Sequence, residues 1–181
     1  MLNNELYVLS QQESEEIHRI LLALTQEILL LEQPILANND ILADLDVIGA
    51  KAQYGNITSG FVGQIKEERT INLYQARHPL IEPNVVVPNS FYLDEEKRLI
   101  IITGPNAGGK TVAMKTVGLL VYMHQCGIPL PTSRPAELSY FDHIYADIGD
   151  SQSLMDNLST FAGHISNLAS IVKQVTSRDL V

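Results

Sequence analysis

Ile17, Leu21, Leu24, Ile28 and Leu31 recur at steps of four, three, four and three, the repeat of one face of a long α-helix. Ser10 followed by Glu13 has capping-box spacing, which predicts a start near residue 10 and an end near Pro34. Ile41, Leu45, Ile48 and Ala52 predict a second helix from Asp40 to about Tyr54, with Gly55 and Asn56 as its stop. From Gly60 the pattern changes to short strands over residues 61–65, 70–74 and 90–93. The charged turn DEEKR (94–98) then leads into LIIIT (99–103), whose unbroken apolar run predicts a strand covered on both faces. VAMKTVGLLVYMHQC (112–126) is apolar almost all round and stops at Gly127 and Pro129, as expected of a central core helix. HIYADIG (143–149) reads as a strand, and Ser159 as the cap of a helix with Ile165, Leu168, Val172 and Val175 on one face. After it, TSR turns into DLV, where another strand begins. The shift near residue 57 divides the chain into a helical segment (1–56) and an α/β segment (57–181), and the barely started last strand predicts a cut fragment.

Composition narrows the functional classes. With 181 residues and 45% hydrophobic content there is enough chain for one sizeable core, or one domain and part of another. A net charge of −9 with 12 Lys and Arg argues against a broad face for DNA or RNA, whose binding rests on basic side chains displacing counterions. The lone Cys126 cannot form an internal disulfide and fits a reducing cytosol. The most apolar early run, ILLALTQEILLLE (20–32), is interrupted by Gln26 and Glu27 and is shorter than the ~20 residues a membrane helix needs. A cytoplasmic, soluble protein without a membrane partner is expected.

The stretch that carries chemistry is IIITGPNAGGKTVAMKT (100–116). Gly104, Gly109, Lys110 and Thr111 satisfy G-x-x-x-x-G-K-[ST], in the strand-loop-helix setting that gives the pattern its meaning. Gly104, Gly108 and Gly109 let the backbone approach phosphate oxygens, and a helix starting near Lys110 adds the positive end of its dipole. Lys110 would neutralise β and γ phosphates, and the Thr111 hydroxyl would ligate magnesium. An ordinary linking turn needs neither three glycines nor a Lys-Thr pair, so ATP with Mg2+ is the expected ligand. Kinases, GTPases, helicases and ABC-type machines share such a loop, so it does not by itself say what becomes of the nucleotide.

QARHPLIE (75–82), ITGPNAGGKT (102–111) and LSTFAGHISNL (158–168), in this order and spacing, resemble the ATPase domain of the MutS family, which belongs to the ABC-type ATPases. The helices before them, including ILADLDVIGAKA (41–52), resemble the lever helix and core segment that lead into that domain. Ala107, Thr111 and Val112 are similar to the second bacterial branch, whose full-length members carry a C-terminal Smr endonuclease domain and lack the mismatch-recognition domain. That branch is linked to suppressing recombination and to rescuing stalled ribosomes.

The resemblance implies a P-loop NTPase fold of ABC type, α/β, with an incomplete sheet and a helical lever segment before it. It makes Asn106 through Thr111 the phosphate loop, with Gly104 ahead of it and Val112 behind. Ser159 and Thr160 match the signature that contacts the γ-phosphate held by the opposing subunit, Gln152 falls in the Q-loop, and Val86 and Asn89 occupy the adenine-packing position. Arg77 and His78 form a landmark without an assigned catalytic role, and His78 is expected in core packing or a buried hydrogen bond. The Walker B Asp and Glu and the H-loop His should follow DLV, so no catalytic residue is expected here. Asp147, Asp150 and Asp156 are placed wrongly to replace them and are expected in a solvated loop. The implied function is the ATP-binding part of a DNA-repair or recombination-control ATPase that clamps as a homodimer. Branched or mismatched DNA, or a ribosome, would be met by other parts of the parent. The isolated chain should bind nucleotide weakly and hydrolyse it slowly or not at all, and an exposed strand edge should promote self-association. Two other classes carry the same loop. A small-molecule kinase would need lid arginines, and residues 112–181 contain only Arg134 and Arg178; a non-catalytic interaction module would keep its nucleotide as structure.

Overall fold

The computed structural model describes residues 2–105, 108–148 and 157–181, with the side chains of 157–162 outside the described set. The chain divides into two compact units, residues 1–49 and 50–181.

The first unit is helical. Helix α1 (Leu2–Leu29) starts well before Ser10, which sits inside it and accepts a hydrogen bond at its carbonyl from the Ser14 hydroxyl, 3.0 Å away. The capping-box expectation fails because the residues before Ser10 propagate the helix themselves. The chain breaks at 30–31, and α2 (Glu32–Thr58) begins there, eight residues ahead of the expected Asp40. Pro34 thus opens a helix instead of closing one, since a first-turn residue has no intrahelical use for the N–H that proline lacks. The apolar stripe of α1 is exposed along its length, with no buried residue. Among the described residues no single helix is long and apolar enough to cross a membrane.

α2 ends in the second unit, and not at Gly55-Asn56. Ser59 adopts a left-handed φ of 50°, the Gly60 N–H reaches Gly55 O at 2.8 Å and the Ser59 N–H reaches Asn56 O at 3.3 Å, a Schellman closure. Gly55 serves packing: a Cβ there would lie 2.9 Å from Pro129 Cγ.

The second unit is mixed α/β around a four-stranded mixed sheet. Strands β1 (Gln64–Lys66), β2 (Ile71–Ala76), β3 (Asn89–Leu93) and β4 (Glu137–Ser139) lie in the order β1-β4-β2-β3. β1 runs parallel to β4, while β2 is antiparallel to both β4 and β3. A register shift between Leu73 and Ala76, with Gln75 at φ 48°, turns Ala76 back onto the core face after Ile71 and Leu73. Helix α3 (Lys110–Gln125) covers that face with Leu120, Val121 and Met123, which join Ile71, Leu73, Phe91, Leu130 and Leu138 in one buried cluster. α3 is therefore one-sided: Val112, Met114 and Tyr122 remain exposed, against the expectation of a helix buried all round. Helix α4 (Asn157–Gln174) completes the described elements.

The largest departure is at 99–103, which forms no strand. Leu99 and Ile101 are each 76% exposed, while Ile102 packs against the core. Among the described residues no strand pairs with this segment, so one edge of side chains meets the core and the other meets solvent. The expected strand at 143–149 shrinks to a parallel bridge between Ile144 and Leu180, with the Tyr145 N–H on Leu180 O at 2.8 Å and the Leu180 N–H on His143 O at 3.0 Å.

His124 lies buried under this sheet. Loss of hydration pushes its pKa below the ordinary histidine value, partly offset by a backbone hydrogen bond with Leu138. A Cβ on Gly63 would fall 2.5 Å from its Nδ1. Gly63→Ala should therefore cost about 1–3 kcal/mol of stability in a denaturant melt, because the overfilled site has buried ring and backbone on both sides. The lowered pKa means the unfolded chain takes up the proton first. The stability contributed by neutral His124 should thus be complete above its ordinary value of 6.5, fall as pH drops through the folded value, and lose that dependence in His124→Gln.

Candidate functional site

The glycine-rich loop gathers several backbone features at the start of α3. Gly104 has φ 146° and Gly109 φ 79°, both in the region that side-chain-bearing residues rarely adopt. Between them the Gly108 N–H donates to Pro105 O at 3.0 Å, and a Cβ on Gly108 would stand 3.1 Å from that same oxygen. Gly109 is the N-cap of α3, with no side-chain cap, and its carbonyl takes the first helical bond from the Ala113 N–H at 2.9 Å. The first N–H groups of a helix have no intrahelical partner and point outward with the positive end of the dipole.

Lys110 Nζ folds back over this turn, donating to Gly104 O at 2.6 Å and Pro105 O at 2.8 Å. Among the described residues it has no carboxylate partner. An ammonium held by neutral carbonyls beside free helical N–H groups is an arrangement that an oxyanion can complete. Thr111 and Val112 follow on the first turn, both exposed. Asn106 and Ala107 lie outside the described residues.

A second constellation joins the segment after His143 to α4. Asp147 accepts a hydrogen bond from Asn167 Nδ2 at 2.9 Å and is bridged to His164 Nδ1 at 2.8 Å. The Asn167 contact first, and the His164 contact next, hold its carboxyl below the usual carboxylate range. Asp147 is thus anchored, in contrast to the solvated loop expected for it. His164 and Asn167 are three apart and so share one helical face, a signal the sequence offered and the motif reading passed over. Ser159 is helical and two residues inside α4, so it is not the cap; the side chains of Ser159 and Thr160 lie outside the described set. Gln152, Asp150 and Asp156 fall outside it as well.

Val86 sits half-buried in a turn, its N–H on Glu82 O at 2.9 Å, and Asn89 opens β3 with its side-chain amide on Val87 O at 3.1 Å. Arg77 fastens the end of α2 to β2: its Nη2 donates to Thr58 O at 2.9 Å and its N–H to Pro131 O at 3.0 Å. His78 Nδ1 accepts from the Leu80 N–H at 3.3 Å in the turn that follows.

Among the described residues no group of three or more His, Cys, Asp or Glu converges to hold a metal. An apolar groove of about 560 Å³ runs between 99–102, α3 and 144–148, and includes no residue of the loop itself.

Residues 100–181, from the start of the loop segment to the last residue, match the family model described as MutS domain V. Over 180 residues, 99% of the chain, it is 43% identical to endonuclease MutS2 of Bacillus mycoides and of Bacillus cytotoxicus, and 44% identical to that of Bacillus anthracis. The chain belongs to the MutS family. Within it the MutS2 branch is the match, and the chain spans 23% of the length of these relatives. Both constellations of this MutS chain, at 104–112 and at 147–167, lie inside the domain V match.

The Asp147 bridge generates a direct expectation. Asp147→Ala should speed amide exchange of residues 163–174 relative to the sheet at neutral pH. The lowered pKa makes this contribution complete above the ordinary aspartate value of 3.8 and lost below it, so the difference between variant and parent should vanish in acid. Equal exchange at neutral pH would show the bridge to be idle.

Proposed function

We propose that this chain is the ATP-binding part of a MutS-family ATPase, of the P-loop ABC type, acting in DNA repair or the control of recombination. The observation that carries the reading is the Lys110 ammonium resting on Gly104 O and Pro105 O above the uncapped N-terminus of α3. On nucleotide binding, Lys110 would exchange those two carbonyls for β and γ phosphate oxygens. Gly108 and Gly109 would turn their N–H groups toward the same oxygens. The residues fit magnesium through the Thr111 hydroxyl, with the nucleotide supplying further oxygens; when bound, the ion supplies charge neutralisation at the phosphates. Asn106 and Ala107 would close the loop, with Val112 behind it.

Two such domains would face each other in a homodimer. Ser159 and Thr160, at the N-terminal end of α4, would address the γ-phosphate held by the opposite subunit. Gln152, as the Q-loop residue, would reach the magnesium or the attacking water, and Val86 and Asn89 would border the adenine. Closure on ATP would move the helical segment before residue 57, and the protein's DNA contacts and any endonuclease activity would reside in other parts of the full-length protein.

Isothermal titration of the full-length protein with ATP and ADP, with and without magnesium, tests the loop. Lys110→Ala removes a charge-assisted hydrogen bond of about 1.5–3 kcal/mol, so affinity should fall about 10–100-fold. Unchanged affinity would place the nucleotide elsewhere. The cross-subunit role is tested separately: Ser159→Ala should abolish cooperativity of ATP hydrolysis while leaving nucleotide affinity intact, and retained cooperativity would refute that role.

A further inference from the structure

Helix α3 is in contact with something specific at each end. Its 16 residues span about 24 Å at 1.5 Å per residue, from the glycine-rich loop to the last turns of α2. At the far end Cys126 is the C-cap, and its carbonyl accepts a hydrogen bond from Lys51 Nζ of α2 at 2.6 Å, across 75 residues of sequence. The chain then turns at Gly127, φ 66°, whose added Cβ would stand 3.7 Å from that same Nζ. A cation on these last carbonyls also meets the negative end of the helix dipole.

The surroundings leave little slack. Gly55 of α2 abuts Pro129, Phe61 and Leu130 exchange both backbone hydrogen bonds at 2.9 and 2.8 Å, and Arg77 holds Thr58 O. The body of α3 is equally tight, with Leu120 and Val121 fully buried. The loop end differs: the Lys110 ammonium rests on two neutral carbonyls, and under the nucleotide reading above an incoming anion would give it a second set of partners. An element with two arrangements at one end and a rigid body behind it transmits displacement instead of absorbing it.

We infer that Lys51 is a positioning residue that reports nucleotide occupancy of the loop to the end of α2, through α3 and its contact with Cys126 O. The inference rests on the nucleotide reading above and names its output contact. Release of the Gly104 and Pro105 carbonyls frees the N-terminal turn of α3 to settle on the phosphates. The resulting shift arrives at Cys126, where Lys51 either follows the carbonyl or loses it. A purely static cap would stabilise α3 equally with and without nucleotide; a reporting contact makes the α2 turn respond to it.

The test uses full-length protein as wild type, Lys51→Met and Lys51→Arg. Amide exchange of residues 50–58 is compared with and without saturating Mg-ATP, alongside calorimetric affinity for ATP. Exchange in the wild type should change by about fivefold or more on nucleotide addition, the lower end of ordinary coupling. Lys51→Met should lose that response while still binding ATP, and Lys51→Arg, which keeps a cationic donor, should restore most of it. ATP binding by the wild type without a change at 50–58, or an undiminished response in Lys51→Met, overturns the inference. Absence of ATP binding in the wild type overturns the nucleotide reading itself, and this inference with it.

Discussion

Burial of one face of α3 against β2 and β4 is the contact on which the second unit depends. Leu120 and Val121 on the helix, and Ile71, Leu73 and Leu138 on the strands, are essentially sealed from solvent. Each such side chain contributes about 1.5–3 kcal/mol by leaving water. Because close-packed aliphatics hold together as one body, this seam sets the axis of α3 and makes the helix behave as a rigid element. Everything useful about the helix then follows from where its two ends are left.

Its N-terminus is left open. The glycines around it let the chain enter with φ values of 146° and 79°, and Gly109 at the N-cap makes no side-chain cap. A lysine one residue later folds back over the turn. The result is a local positive site on a chain of net charge −9. Long-range attraction of a polyanion is therefore weak, and the nucleotide binding proposed above would draw its strength from short, directed donors at the loop. That division of labour suits a site built from backbone.

The C-terminus is left among the last turns of α2. Lys51 on Cys126 O, Gly55 on Pro129 and Arg77 on Thr58 O form a compact joint. Packing thus assigns residues 50–58 to the sheet's unit, although the change in residue pattern comes at about 57. The chain keeps one helix through that change because helical hydrogen bonds are local and indifferent to what the outer face meets.

What could be read from the residues alone was local. The glycine-rich loop, the helix after it and the motifs of the MutS family are patterns whose chemistry depends on neighbours in sequence. β2 and β3 were legible for the same reason, as short runs between turns. The helix boundaries misled because Ser10, Pro34 and Gly55 each suit more than one position, and only the finished chain shows which applies. Whether 99–103 is covered on both faces, whether Asp147 stands in solvent or on His164 and Asn167, and where Lys51 ends up were all decided by the tertiary structure. Each depends on partners at least 17 residues away, as Asp147 to His164 shows, and no periodicity within a segment encodes what will lie across from it.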